Sequence, residues 1–113
     1  MELFSLKELC KEVGVSRRTI QGHEKVGVIQ PVSRNKYGYL LYNHEMLERA
    51  KQAKFLRSIG FSNVEVFELL NESNDKFVLA LKEKIGNLER RLEEMQNLLY
   101  QVKTMVEELS KGE

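Results

Sequence analysis

From Val78 to Leu109 the chain sets an apolar residue alternately three and four positions apart: Val78, Leu81, Ile85, Leu88, Leu92, Met95, Leu99, Val102, Val106, Leu109. This is a heptad seam, with Val78, Ile85, Leu92, Leu99 and Val106 at one core position and the remaining five at the other. The pattern predicts a single helix over 75–109, on the order of 50 Å long. A stripe one residue wide that runs this far asks for a second long helix, and the sequence holds no other copy of it. A second molecule of the same protein is the expected partner, which makes the ten seam residues a homodimer interface. The alternative is a helix folded back onto its own domain.

Upstream the pattern breaks into shorter units. Ser5-Leu6-Lys7-Glu8 has the capping-box form, and Leu6, Leu9, Cys10 and Val13 then share one face of a short helix. Gly14 stops that helix, Val15 plugs the turn, and Ser16 caps a second helix running to about Val26, with Gly27 as its stop. Helix, glycine turn, helix is the helix-turn-helix spacing, although any helical hairpin can share it. Arg17 and Arg18 fall in the first turn of the second helix, where a recognition helix meets bases and phosphates. Cations there oppose the helix dipole, a mild cost that favours a binding role over two solvated arginines.

Pro31 excludes a helix interior. Val28, Ile29 and Val32 are expected in one short strand and Leu40, Leu41 and Tyr42 in another, around the basic turn Ser33-Arg34-Asn35-Lys36-Tyr37-Gly38. Such a hairpin, or wing, offers Arg34, Lys36, Tyr37 and Tyr39 to phosphates; an ordinary exposed hairpin is the alternative. Asn43 caps a third helix whose apolar positions are Met46, Leu47, Ala50, Ala53, Leu56 and Ile59, with Lys51, Lys54 and Arg57 interspersed and Gly60 at its end. Ser62 and Glu65 form another capping box, Phe61 staples onto Val66, and Val66, Phe67, Leu69 and Leu70 face inward from a fourth helix. Asn71 to Asn74 reads as a connector.

At 113 residues, these elements are expected to make a mainly α fold in three parts: a winged helix-turn-helix domain at 1–74, a dimerisation helix at 75–109 and a tail at 110–113. The net charge of +1 conceals an asymmetry: eleven Lys/Arg against six Glu in 1–60 give +5, and seven against eleven acidic residues in 61–113 give −4. A basic front half on an acidic tail points to a polyanionic partner for the front. No apolar run approaches the roughly 18 residues of a membrane span and no secretory leader is read, so a cytoplasmic protein without membrane contact is expected. The single cysteine, Cys10, excludes an intramolecular disulfide and is expected in the core. Cys10, His23 and His44 do not form a metal-ligand spacing, so neither metal nor cofactor is expected. Enzyme chemistry finds no support either. No phosphate loop or nucleophile–base pair is visible, and His23-Glu24 and His44-Glu45 are helix neighbours that point apart.

These residues resemble the MerR family of bacterial transcription regulators. The resemblance rests on five elements in order: Leu6 to Ser16 as the helix-turn-helix opening; Arg18-Thr19-Ile20; Glu24-Lys25-Val26-Gly27-Val28-Ile29 followed by Pro31; Gly38-Tyr39-Leu40-Leu41-Tyr42 in the wing; and Leu56-Arg57-Ser58-Ile59-Gly60-Phe61-Ser62. It implies a winged helix-turn-helix domain followed by a long antiparallel coiled-coil dimerisation helix. It further implies near-palindromic operators between the two promoter elements, and distortion of an overlong spacer so that RNA polymerase engages both. The DNA contacts it implies, with the cations already noted, are Ser16, Arg17, Arg18, Thr19, Gln21, His23, Arg34, Lys36, Tyr37 and Tyr39, and outlying Lys54 and Arg57. The chain departs from the family at Gln21-Gly22-His23, where Arg-Tyr-Tyr is usual, and at Leu40, where an arginine is usual. The cysteines of metal-sensing members, near the ends of the dimer helix, are absent from this sequence, and with its last residue at Glu113 the ligand domain of drug-sensing ones is not expected. Leu98, Tyr100 and Met105 widen the apolar stripe near the tail, as packing against the partner or as the wall of a small-molecule pocket. Alternatives to a promoter-specific regulator are an architectural or DNA-anchoring protein and a protein–protein adaptor of the same fold.

Overall fold

Side-chain caps start the helices of the N-terminal part. In the computed structural model, which describes residues 2–112, Ser5 Oγ accepts from the Glu8 amide at 3.1 Å and Glu8 Oε1 accepts from the Ser5 amide at 3.0 Å. That pair opens α1 (Leu6–Val13). Ser16 Oγ accepts from the Thr19 amide and opens α2 (Arg17–Lys25). Asn43 opens α3 (His44–Ser58), and the reciprocal Ser62–Glu65 pair opens α4 (Asn63–Leu70). Each cap satisfies first-turn amides that have no partner within the helix. Gly14, at φ 78°, ends α1, where its own amide and that of Val15 both donate to the Cys10 carbonyl. An L side chain rarely takes that conformation.

The core gathers around α3, which packs on α1, α2 and α4. Ala50 and Ala53 are fully buried, and their small side chains let neighbouring helices approach closely. Leu9 and Val13 of α1, Ile20 of α2, Leu56 of α3, and Val66 and Leu69 of α4 fill the remaining space. Removing this apolar surface from water is the main stabilising term for the unit. Cys10 and Leu6 are half-buried, at the edge of this core instead of within it. Phe67, expected to face inward, is 38% exposed, and its ring lies across Gly27 so closely that a Cβ there would meet it at 3.3 Å.

A small antiparallel sheet joins β1 (Phe4–Ser5), β2 (Ser33–Arg34) and β3 (Leu40–Tyr42) in the order β1-β3-β2. Phe4 pairs with Tyr42, and Ser33 and Arg34 pair with Leu41 and Leu40. The first strand of the wing therefore lies later than the expected Val28–Val32. Val28 and Ile29 are buried as core plugs in a non-strand segment, and only Val32 joins the ladder, through its amide to the Leu41 carbonyl at 2.9 Å.

The chain separates into two units, one ending at Asn74 and one beginning at Asp75. The second is a single helix, since α5 runs from Asn74 to Lys111, about 57 Å at its 38 residues. None of its residues is fully buried within the chain. Its seam lies open, from 40% exposed at Leu88 to 70% at Leu109, with Leu81 half-buried.

Candidate nucleic-acid interface

The two faces of α2 are sorted by helical spacing. Ile20 and His23 point into the core, at 0% and 2% exposure. Arg17, Arg18, Gln21 and Lys25 are exposed on the other side. Lys25 was not singled out by motif. Its place at i+4 from Gln21, as Gln21 is i+4 from Arg17, is the signal that finds it. Ser16 and Thr19 serve the helix start: their hydroxyls lie 3.0 Å apart and Ser16 Oγ takes the Thr19 amide. Their first role is to hold the arginine-bearing turn.

His23 does not belong to this surface. It was expected to contact DNA, but at the register of α2 it falls on the Ile20 side and its ring is enclosed. Neither ring nitrogen has a hydrogen-bond partner, and the Asn63 Oδ1 atom is likewise buried and unpaired. Burial, reinforced by the Arg57 cation, holds the imidazole below its usual titration range, so it is neutral at physiological pH.

The wing is a self-braced turn. Asn35 Oδ1 accepts from the amides of Tyr37 and Tyr39 at 2.9 and 3.0 Å, and the Arg34 guanidinium donates across the turn to the Gly38 carbonyl at 2.7 Å. Gly38 has φ 85° and open space around it. Lys36 Nζ sits 5.1 Å from the centre of the Tyr37 ring. Tyr37 and Tyr39 are exposed, so the tip presents two aromatic rings and a cation on a fixed frame. Asn35, which organises that frame, is an Asx-turn residue whose side chain copies a backbone acceptor.

A trough of about 490 Å³ runs between the wing and the helix-turn-helix, with Leu6 and Leu40 among its apolar lining and Lys7, Arg17 and Tyr39 beside them. It brings Arg17 and Tyr39 to one surface and adds Lys7, which sequence reading passed over. The wing is tied to the recognition helix from behind: the buried Tyr42 hydroxyl donates to the Glu24 carboxylate. Burial first, and Glu24 second, push the Tyr42 phenol well above its usual range, so it stays a donor.

Two expected contacts are engaged inside the domain. Lys54 Nζ donates to the Val13 carbonyl at 3.0 Å, and Arg57 donates to the Phe61 carbonyl at 2.9 Å. Both close helix ends, which places these cations first in the scaffold. Among the described residues, no three His, Cys, Asp or Glu side chains gather as a metal site, and no helix is long and apolar enough to cross a membrane. Lone His44 sits 3.6 Å from Glu48 in an exposed i,i+4 pair.

A capped recognition helix with an exposed cationic face, beside a braced wing, defines a winged helix-turn-helix DNA-binding domain. The profile of the MerR HTH family regulatory proteins matches residues 4–73, and the chain belongs to that family. It is similar to the HTH-type transcriptional regulator CueR of Salmonella typhi, 28% identical over 110 residues that span 92% of this chain and 80% of that one. Its fold is similar to that of MtaN, the N-terminus of the Bacillus subtilis multidrug transporter activator, with TM-score 0.74 and 26% identity, covering 91% of this chain and 97% of that one. It is also similar in fold to HiNmlR, a MerR family regulator lacking the sensor domain and bound to promoter DNA, with TM-score 0.69 and 16% identity, covering 87% and 79%. These proteins are transcriptional regulators and not enzymes, and this chain is a DNA-binding transcriptional regulator of the same family.

Proposed function

We propose that the chain acts in the cytoplasm as a homodimer, joined through the seam of α5, whose two heads grip one near-palindromic operator. The observation that carries this reading is the pairing of an open, unbroken heptad seam with a head that presents Arg17, Arg18, Gln21, Lys36, Tyr37 and Tyr39 on exposed positions. Residues 1–74 form the DNA-binding domain and 75–109 the dimerisation helix, wound antiparallel on its copy. The second helix of each head enters the major groove and each wing lies on the backbone. Arg17, Arg18, Lys36, Tyr37 and Tyr39 hold phosphates and set the register, with Arg34 and the Ser16–Thr19 turn behind them. Distortion of the promoter between its two elements, to the advantage of RNA polymerase, follows if these backbone contacts offset a deformation cost of several kcal/mol.

Footprinting on the DNA upstream of its own gene tests this reading. A protected inverted repeat is expected, with affinity falling steeply as salt rises. Arg18→Ala or Tyr39→Ala weakens protection at every operator variant alike, because a phosphate contact carries no sequence information. Protection unchanged in both variants removes these residues from the interface, and protection without any preferred sequence favours an architectural role.

A further inference from the structure

The outward face of α2 carries three cations and one amide. Arg17, Arg18 and Lys25 suit phosphates or guanine, whereas Gln21 brings no charge. Every other neutral polar side chain on that helix is committed inside the protein or turned away: Thr19 lies in the Ser16 cap and His23 is buried. Among the described residues, no hydrogen bond engages the Gln21 amide. Its neighbour Gly22 has no side chain to share the groove. Gly22 instead faces α4, where a Cβ would lie 3.5 Å from Asn63 Nδ2. Gln21 thus stands on the exposed side, one turn from each of Arg17 and Lys25, with a free donor and a free acceptor side by side.

We infer that Gln21 is the base-reading residue of this recognition helix and that its target is adenine, one in each half of the operator. The inference rests on the operator-binding reading above. An amide offers N–H and C=O in the spacing that adenine presents as N7 acceptor and N6 donor; guanine offers two acceptors, which fit an arginine, and a phosphate offers acceptors alone. Arg17, Arg18 and Lys25 surround the amide and supply the charge that holds the backbone, so Gln21 contributes discrimination in place of bulk affinity.

Selection from random duplex DNA by the full chain, with Gln21→Ala and Gln21→Arg beside it, tests the assignment. Both changes lie on an exposed helix position, and circular dichroism checks that the helices remain. The wild type is expected to enrich an inverted repeat with adenine fixed at one symmetric pair of positions. Gln21→Ala loses the preference at that pair alone, with affinity about 5- to 150-fold lower for each half-site. Gln21→Arg moves the preference there to guanine. The dependence of affinity on salt stays parallel between wild type and Gln21→Ala, since no phosphate charge is neutralised by an amide. An unchanged base preference in Gln21→Ala, or a uniform loss across all sequences, overturns the assignment alone. A wild type that enriches no sequence overturns it together with the operator-binding reading.

Discussion

The imidazole of His23 is enclosed with both nitrogens unpaired, and that makes it a titrating weak point of the DNA-binding head. The folded chain holds the ring neutral, first by burial and then through Arg57. In the unfolded chain the same ring takes a proton near pH 6.5. The unfolded state therefore binds more protons as pH falls through that value, and the head loses stability in the direction of acid. The slope is bounded by about 1.4 kcal/mol per pH unit for one proton. Glu8, whose carboxyl is lowered by the Ser5 amide and hydroxyl, titrates further into acid and leaves this window to His23. Urea unfolding of wild type and His23→Leu between pH 7.5 and 5.5 is expected to show a falling midpoint in the first and a flatter one in the second. Parallel curves would mean that the ring finds a proton-accepting partner in the fold. Motif position suggested a DNA contact here, whereas counting 100° per residue from Ile20 turns the ring inward.

The helix ends were the most readable part of the chain, because their chemistry is local. Ser5, Ser16, Asn43 and Ser62 each bond an amide three residues on, so the starts of α1, α2, α3 and α4 follow from side chains adjacent in sequence. The two-residue strands β1 and β2 left no such trace: two residues cannot display an alternation, and β1 finds its partner β3 far along the chain, Phe4 against Tyr42. The same distance hid the role of Lys54, forty-one residues from its acceptor at Val13. That lysine sits over the open C-terminus of α1, where carbonyls lack partners and the dipole is negative. It also leaves only 3.0 Å between its Nζ and a Cβ placed on Gly14. Lys54→Met keeps the stem and removes the donor. Its expected cost is about 1 kcal/mol, read as a lower urea midpoint. The salt dependence of DNA binding should remain that of wild type, whereas loss of a phosphate contact would lower the slope by about one.

Assembly decides whether two such heads act as one. Exposed seam residues on α5, among them Leu92 at 60% and Leu99 at 52%, are large apolar side chains that their own helix leaves uncovered. Burying each is worth roughly 2 kcal/mol in a pair of helices, and a symmetric dimer counts every one twice. Leu92→Lys with Leu99→Lys would place four cations in the joined seam while changing only exposed positions of the separate chain. Sedimentation at micromolar concentration is expected to move from dimer to monomer, with the thermal transition of the head retained. Linking two heads raises the local concentration of the second to the millimolar range once the first has bound, so the monomeric variant should bind the operator 10²- to 10⁴-fold more weakly. Its salt dependence should fall to about half, because one head neutralises half the phosphates of two. A variant that stays dimeric would place the interface elsewhere than the seam, and a monomer that binds as tightly as wild type would show that a single head carries recognition. Sequence alone displayed the stripe but not what covers it, since a heptad pattern marks a face for packing without naming the partner.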